Sequence, residues 1–142
     1  MSAPVVVDTS AMVAIELGEP DARWFADTLA DVQDPVMSAG SLQELIIVLG
    51  HRLGVASVSA LDFSAAVTNS IRDQGLRVIP VDDGLATLGA ASTLRYRSSP
   101  AHLNFGDGFS YALALELGAA ILCKGDDFAR ADVPVLAPPR RM

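Results

Sequence analysis

Residues 4–15 read PVVVDTSAMVAI. Consecutive β-branched valines suit a short buried strand, and Thr9 and Ser10 are good N-caps for a helix carrying Met12, Val13 and Ile15. A strand that passes directly into a helix, with Asp8 at the junction, is the opening unit of a parallel α/β sheet. The alternation recurs. EPDARWFADTLADV, residues 19–32, sets Trp24, Phe25 and Leu29 at helical spacing, with Pro20 suited to the first turn. MSAGSLQELIIVLGHRLG, residues 37–54, predicts a strongly apolar helix capped by Ser38 or Ser41 and stopped near Gly54. Another helix is expected over Leu61 to Ile71, ended by Gly75 ahead of a second strand, LRVIPV, at 76–81. Asp82 or Asp83 then caps a helix through Leu85 and Leu88. RYRSSPAH, residues 95–102, reads as a loop leading into the helical stretch HLNFGDGFSYALALELG, residues 102–118. AAILC at 119–123 reads as a third buried strand, and VPVL at 133–136 as a weak edge strand, because Pro134 cannot donate to a ladder. Strands separated by helices predict parallel βαβ units in an α/β sandwich.

With 142 residues, 51% of them hydrophobic, one domain with a real core is expected, since a domain of this size buries roughly 70% of its unfolded surface. That domain spans 1–136, and the tail APPRRM, 137–142, reads as disordered. The apolar runs fall far short of the roughly 18 residues a membrane span needs, and MSAPVVVDTS lacks a basic region leading into a secretory segment, so a soluble cytoplasmic protein is expected. The single Cys123 excludes an internal disulfide, and no zinc pattern of Cys and His is present. A net charge of -7 argues against a nucleic-acid binder that works by bulk electrostatics, so any such role must be local or metal-assisted.

The acidic residues that need explaining are Asp8, Glu44, Asp107 and the pair Asp126 and Asp127, which stand apart in sequence amid apolar surroundings. Taken singly, each has a structural reading. Asn104 and Asp107 have the spacing of a capping box, as do Ser41 and Glu44, while Asp126 suits a cap for a short helix through DFARAD and Asp8 a strand end. Taken together they point elsewhere. Sites in open parallel sheets form outside the carboxyl ends of the strands, where Asp8 and the pair Asp126 and Asp127 fall and where the helix starting near Asp107 also faces. Glu44 shares a helix face with Val48 and His51, and a carboxylate on a partly apolar helix is costly unless paired. Lys124 is the one cation placed nearby, and one ammonium cannot neutralise such a cluster. A divalent ion can. Mg²⁺ or Mn²⁺ prefers carboxylate oxygens and keeps its waters, which makes metal-assisted phosphodiester hydrolysis the sharpest reading. Asn104 and Ser110 are candidates to position water or phosphate, and Gly106 and Gly108, each costing about 1 kcal/mol against Ala in a helix, suit a close approach beside Asp107.

Four segments, VVVDTSAMVAI, LQELIIVLGHR, HLNFGDGFSYALALELG and ILCKGDDFARADV, resemble in this order the PIN-domain ribonucleases, specifically the VapC-type toxins of bacterial toxin-antitoxin modules. The resemblance runs from residue 5 to 136. It implies a PIN-like three-layer sandwich, a central parallel sheet between helices, with Mg²⁺ or Mn²⁺ held by an acidic cluster. Asp8 matches the first metal-binding aspartate, Glu44 the helical glutamate, and Asp107 the aspartate heading the later helix. Both Asp126 and Asp127 offer a fourth acid, and the pairing with Phe128 favours Asp127. Thr9 and Ser10 match a position that supports Asp8 or a metal-bound water. The resemblance further implies endonucleolytic cleavage of transfer, ribosomal or messenger RNA, a VapB-like antitoxin entering the acidic groove with an Arg or Lys, and a toxin homodimer. In RYRSSPAH, Arg95, Arg97 and His102 supply a local RNA contact or an ordinary solvated loop. Two competing functions remain: a module that binds metal or a basic partner without hydrolysis, and a nuclease acting on another nucleic acid.

Overall fold

The structure is a computed structural model and describes residues 3–98 and 100–139. The apolar patterning produces a five-stranded sheet, all parallel where paired, in the order β3-β2-β1-β4-β5. Its strands are β1 Val5–Val7, β2 Pro35–Ser38, β3 Arg77–Ile79, β4 Ala120–Leu122 and β5 Val135–Leu136. The helices are α1 Thr9–Glu16, α2 Ala22–Asp31, α3 Ala39–Leu53, α4 Ala60–Asp73, α5 Asp83–Arg95 and α6 Phe105–Leu117. Alternate strand residues face opposite layers. Val6, Val36 and Ile121 pack with Leu85, Leu103, Tyr111 and Leu113 on the side of α5 and α6. Val7, Met37 and Leu122 pack with Met12, Phe25, Leu45, Leu49 and Ile71 on the side of α1 to α4. Burial on both faces explains why the strands read as continuous apolar runs.

The expected sandwich is therefore present, with one strand unforeseen. Pro35–Ser38 forms β2, between β1 and β3, in a region without a strand in the sequence reading. Its proline sits at the first position, where the missing N–H costs a ladder least. The α1 cap also differs from expectation. Asp8, with extended backbone, is the N-cap and accepts from the Ser10 N–H, while Thr9 and Ser10 lie inside the first turn. Ser38 caps α3, so Ser41 and Glu44 do not form a capping box. The N-cap position of the 3₁₀ turn Phe128–Arg130 is taken by Asp127 rather than Asp126, and Asp127 makes no side-chain cap bond. Arg95 belongs to the last turn of α5 rather than to a loop. The weak edge strand is β5, paired with β4 alone. Of the tail, residues 140–142 lie outside the described residues, as does Ser99 of the loop. Among the described residues no helix is long and apolar enough to cross a membrane.

The order of strands reverses at β1: the chain moves outward through β2 and β3, then returns to the other side of β1 with β4 and β5. A crevice at the carboxyl end of β1 and β4 follows from that topology. Asp8 follows β1 immediately, and Lys124 to Asp127 follow β4.

Candidate active site

Asp8, Glu44 and Asp107 reach this crevice from three separate segments. They line one open cleft of about 340 Å³ together with Thr9, Ser10, Val48, Asn104 and Lys124. The cap role of Asp8 explains its rigidity. Its Oδ2 accepts from the Ser10 N–H at 3.1 Å and the Ser10 hydroxyl at 2.7 Å, and its Oδ1 accepts from the Ser110 hydroxyl at 2.6 Å. Ser10 Oγ in turn accepts from the Lys124 N–H at 2.9 Å, which ties the ends of β1 and β4 together. Asp107 sits in a complete capping box. Its Oδ2 accepts from the Asn104 N–H at 3.0 Å, and Asn104 Oδ1 accepts from the Asp107 N–H at 3.0 Å. The structural reading of Asp107 and its place in the cleft are thus compatible, because the box engages one carboxylate oxygen.

The glycines on either side of Asp107 have different neighbours. A Cβ on Gly106 would strike the Glu44 carboxylate, whose Cδ lies 2.7 Å from that position. A Cβ on Gly108 would stand 2.9 Å from the Gly89 carbonyl oxygen of α5. Gly106 therefore gives Glu44 its place against α6, whereas Gly108 lets α5 and α6 pack backbone to backbone.

The carboxylates feel one another. Burial raises the Asp107 pKa to about 6, opposed by the Asn104 N–H and reinforced by the charges of Asp8, Asp127 and Glu44. Burial also raises that of Glu44, opposed by the Thr9 hydroxyl and reinforced by Asp8. Beneath them the buried Cys123 thiol is pushed up to about 12 by burial and by the charges of Asp8 and Asp107. Asp127 is thus within electrostatic reach of Asp107, while Asp126 lies 3.9 Å from Arg130 in an ion pair. His51 is exposed and does not line the cleft. Arg95 pairs with Asp132 and stacks on Tyr96, and Arg97 and His102 are exposed. Ser110 is fully buried behind Asp8, a placement that the sequence does not signal.

No Arg or Lys among the described residues forms an ion pair with Asp8, Glu44 or Asp107. Lys124, at the cleft wall, gives its ammonium to Glu19 and Asp21, at 3.1 Å each. Among the described residues, no three His, Cys, Asp or Glu side chains already converge as a closed metal site. An all-oxygen, open donor set in which burial, reinforced by neighbouring carboxylate charge, holds Asp107 and Glu44 above their ordinary pKa suits a hard cation that keeps several waters and takes only one or two direct carboxylates.

Residues 5–134 match the family model of the PIN domain, and the chain belongs to that family. Within it, the chain is 36% identical over 132 residues to Ribonuclease VapC42 of Mycobacterium tuberculosis, covering 91% of this chain and 96% of the relative. The fold is shared with VapC20 of Mycobacterium tuberculosis, a sarcin-ricin loop cleaving toxin, at a TM-score of 0.76 and 20% identity over 94% of this chain and 99% of the other. It is shared also with VapBC-5 of the same organism, from the VapBC family of toxin-antitoxin systems, at a TM-score of 0.60 and 22% identity over 96% and 98% of the two chains.

Proposed function

We propose that this protein is a divalent-metal-dependent endoribonuclease, the toxin of a toxin-antitoxin module, which hydrolyses RNA phosphodiester bonds in the cleft of Asp8, Glu44 and Asp107. The observation behind the reading is that these acids line one open cleft with no cation among the described residues paired to any of them. The relatives named ribonuclease support RNA as substrate, whether transfer, ribosomal or messenger. The toxin-antitoxin assembly of similar fold supports a VapB-like antitoxin as partner, with an Arg or Lys entering the cleft. A toxin homodimer and action in the cytoplasm belong to the same reading.

Asp8, Glu44, Asp107 and Asp127 would hold Mg²⁺ or Mn²⁺, with Asp127 preferred to Asp126 because its charge acts on Asp107 while Asp126 pairs with Arg130. A bound ion would lower the pKa of a water and offset charge developing on the scissile phosphate. The chain's own groups prepare the cleft. Ser10 fixes one oxygen of Asp8, Thr9 lies beside Glu44, and Asn104 holds one oxygen of Asp107. Asp107 carries a proton up to about pH 6 without metal, so binding a cation there displaces it. The overall charge of -7 gives RNA no bulk attraction, which leaves the cation in the cleft as the principal electrostatic anchor for phosphate.

The test is cleavage of a total-RNA pool by the purified protein, freed of any co-purified antitoxin, with Mg²⁺, with Mn²⁺ and with EDTA. Discrete products that require metal are expected. Absence of cleavage under every condition would replace this reading with that of a non-hydrolytic binding module, and cleavage of DNA in preference to RNA would make the protein a nuclease of another substrate.

A further inference from the structure

Asp8 is held from two directions. Ser10 binds one oxygen locally, but the other accepts a 2.6 Å hydrogen bond from Ser110, 102 positions along the chain. Behind Ser110 lies Ser41, with the two hydroxyl oxygens 3.3 Å apart. Both serines are 0% exposed. A hydroxyl has one proton to give, and Ser110 gives its own to a carboxylate, so the Ser41 hydroxyl must be the donor to Ser110. The relay therefore runs from Ser41 through Ser110 to Asp8.

Its origins in the fold are specific. Ser41 precedes Glu44 by three residues on α3, and Ser110 follows Asp107 by three on α6. Each helix that carries an acid to the cleft thus carries, one turn away, a hydroxyl of the relay to Asp8. Close packing of α3 on α6 needs small residues here, and alanine would serve that purpose. What the hydroxyls add is direction: a short buried bond selects one orientation of the Asp8 carboxylate and links it to the two helices that set Glu44 and Asp107. The Ser41 carbonyl also accepts from the Thr9 hydroxyl at 2.9 Å, which fixes α1 to α3 beside the same carboxylate.

We propose that Ser110, backed by Ser41, is a positioning residue that holds the Asp8 carboxylate in register with Glu44 and Asp107 and thereby sets the affinity of the cleft for a divalent cation. The inference rests on the metal-site reading above. Groups that orient metal-binding side chains typically change metal affinity by about 10- to 100-fold when removed.

The experiment titrates the metal-free protein with Mn²⁺, followed by water-proton relaxation, with thermal unfolding measured on the same samples. Wild type is compared with Ser110→Ala, Ser41→Ala, the double variant and Ser110→Cys. Expected are a Mn²⁺ Kd raised about 10- to 100-fold in Ser110→Ala, a smaller rise in Ser41→Ala, and a double variant no weaker than Ser110→Ala, because Ser41 acts through Ser110. Ser110→Cys, which keeps a weak donor, recovers part of the loss. Wild-type Mn²⁺ affinity in a folded Ser110→Ala, whatever its Tm, overturns the proposal and leaves only a packing role. Should Ser110→Ala not fold, Ser41→Ala decides, and an unchanged Kd there overturns the relay. Failure of wild type to bind Mn²⁺ removes the metal-site reading itself and this inference with it, an outcome distinct from tight wild-type binding that ignores Ser110.

Discussion

Asp34 and Asp107 are the same chemical group under opposite regimes. At one edge of the sheet, Asp34 accepts two hydrogen bonds from Arg77, at 2.9 and 3.0 Å, and the guanidinium holds its carboxyl below the usual range. Asp132, bonded by the Tyr111 hydroxyl at 2.7 Å and paired with Arg95, is likewise lowered. In the cleft, Asp107 and Glu44 are raised, and their partners are amides and hydroxyls that carry no charge. Arg77 and Arg95 thus pair with acids that brace the fold, whereas among the described residues Asp8, Glu44 and Asp107 are met by neutral donors alone. Neutral donors fix direction without cancelling charge. The unmet charge is what a divalent ion would meet.

Removing a charge should separate the two regimes most sharply. Asp8→Asn or Asp107→Asn is expected to lower metal-dependent RNA cleavage by about 100-fold or more, the scale of losing a group that stabilises transition-state charge. The metal-free Tm of Asp107→Asn near pH 7 should hold or rise, since like charges are relieved and an amide oxygen can still accept from Asn104. Asp132→Asn should do the reverse, with cleavage retained and a lower Tm. If Asp107→Asn cleaves at the wild-type rate, Asp107 is a cap and nothing more.

The glycines offer the next contrast. Gly106→Ala meets only the movable end of Glu44, so a folded protein with cleavage reduced about 10- to 100-fold is expected. Gly108→Ala meets backbone of α5 and should instead destabilise by about 1–3 kcal/mol, less the ~1 kcal/mol of helix propensity gained, as read by denaturant unfolding. Equal loss of stability in both would mean that Gly106 serves packing alone.

The smallest effect is in the pH dependence of metal-free stability, where the two regimes have opposite sign. Asp107 is raised from 3.8 to about 6 on folding, so its contribution favours the folded state below 3.8 and is lost as pH rises through about 6. Asp34 and Asp132 are lowered, so their contribution is present above 3.8 and is lost as pH falls through their folded values. Between pH 4 and 7, Asp107→Asn should therefore lessen the decline in Tm with rising pH, whereas below 3.8 Asp34→Asn should lessen the decline on acidification. A variant Asp107→Asn with the wild-type slope would remove the proposed charge conflict.

Local chemistry carries much of this into the sequence. The valines of β1 followed by Asp8, the box of Asn104 and Asp107, and the apolar run of β4 each lie within a few residues, and each is legible without a structure. β2 is not, because a four-residue strand that opens with Pro35 and closes with Ser38 has neither length nor alternation to mark it. Thr9 and Ser10 look like caps by residue type, yet Asp8 outcompetes them by being at the strand end with extended backbone. The bond of Ser110 to Asp8 and the fit of Glu44 against Gly106 depend on how α3 and α6 cross. No local pattern encodes that crossing, so the acids can be listed from sequence but not their supports.

Proton release on metal binding tests the central claim most directly. Calorimetric titration of the metal-free protein with Mn²⁺, in buffers of different ionisation enthalpy, counts protons displaced per ion. The expected result is saturable binding that releases a fraction of a proton at pH 6, falls toward none by pH 8, and is lost in Asp8→Asn. Binding of undiminished affinity in Asp8→Asn, or no saturable binding by wild type at either pH, would contradict a metal site built on these carboxylates.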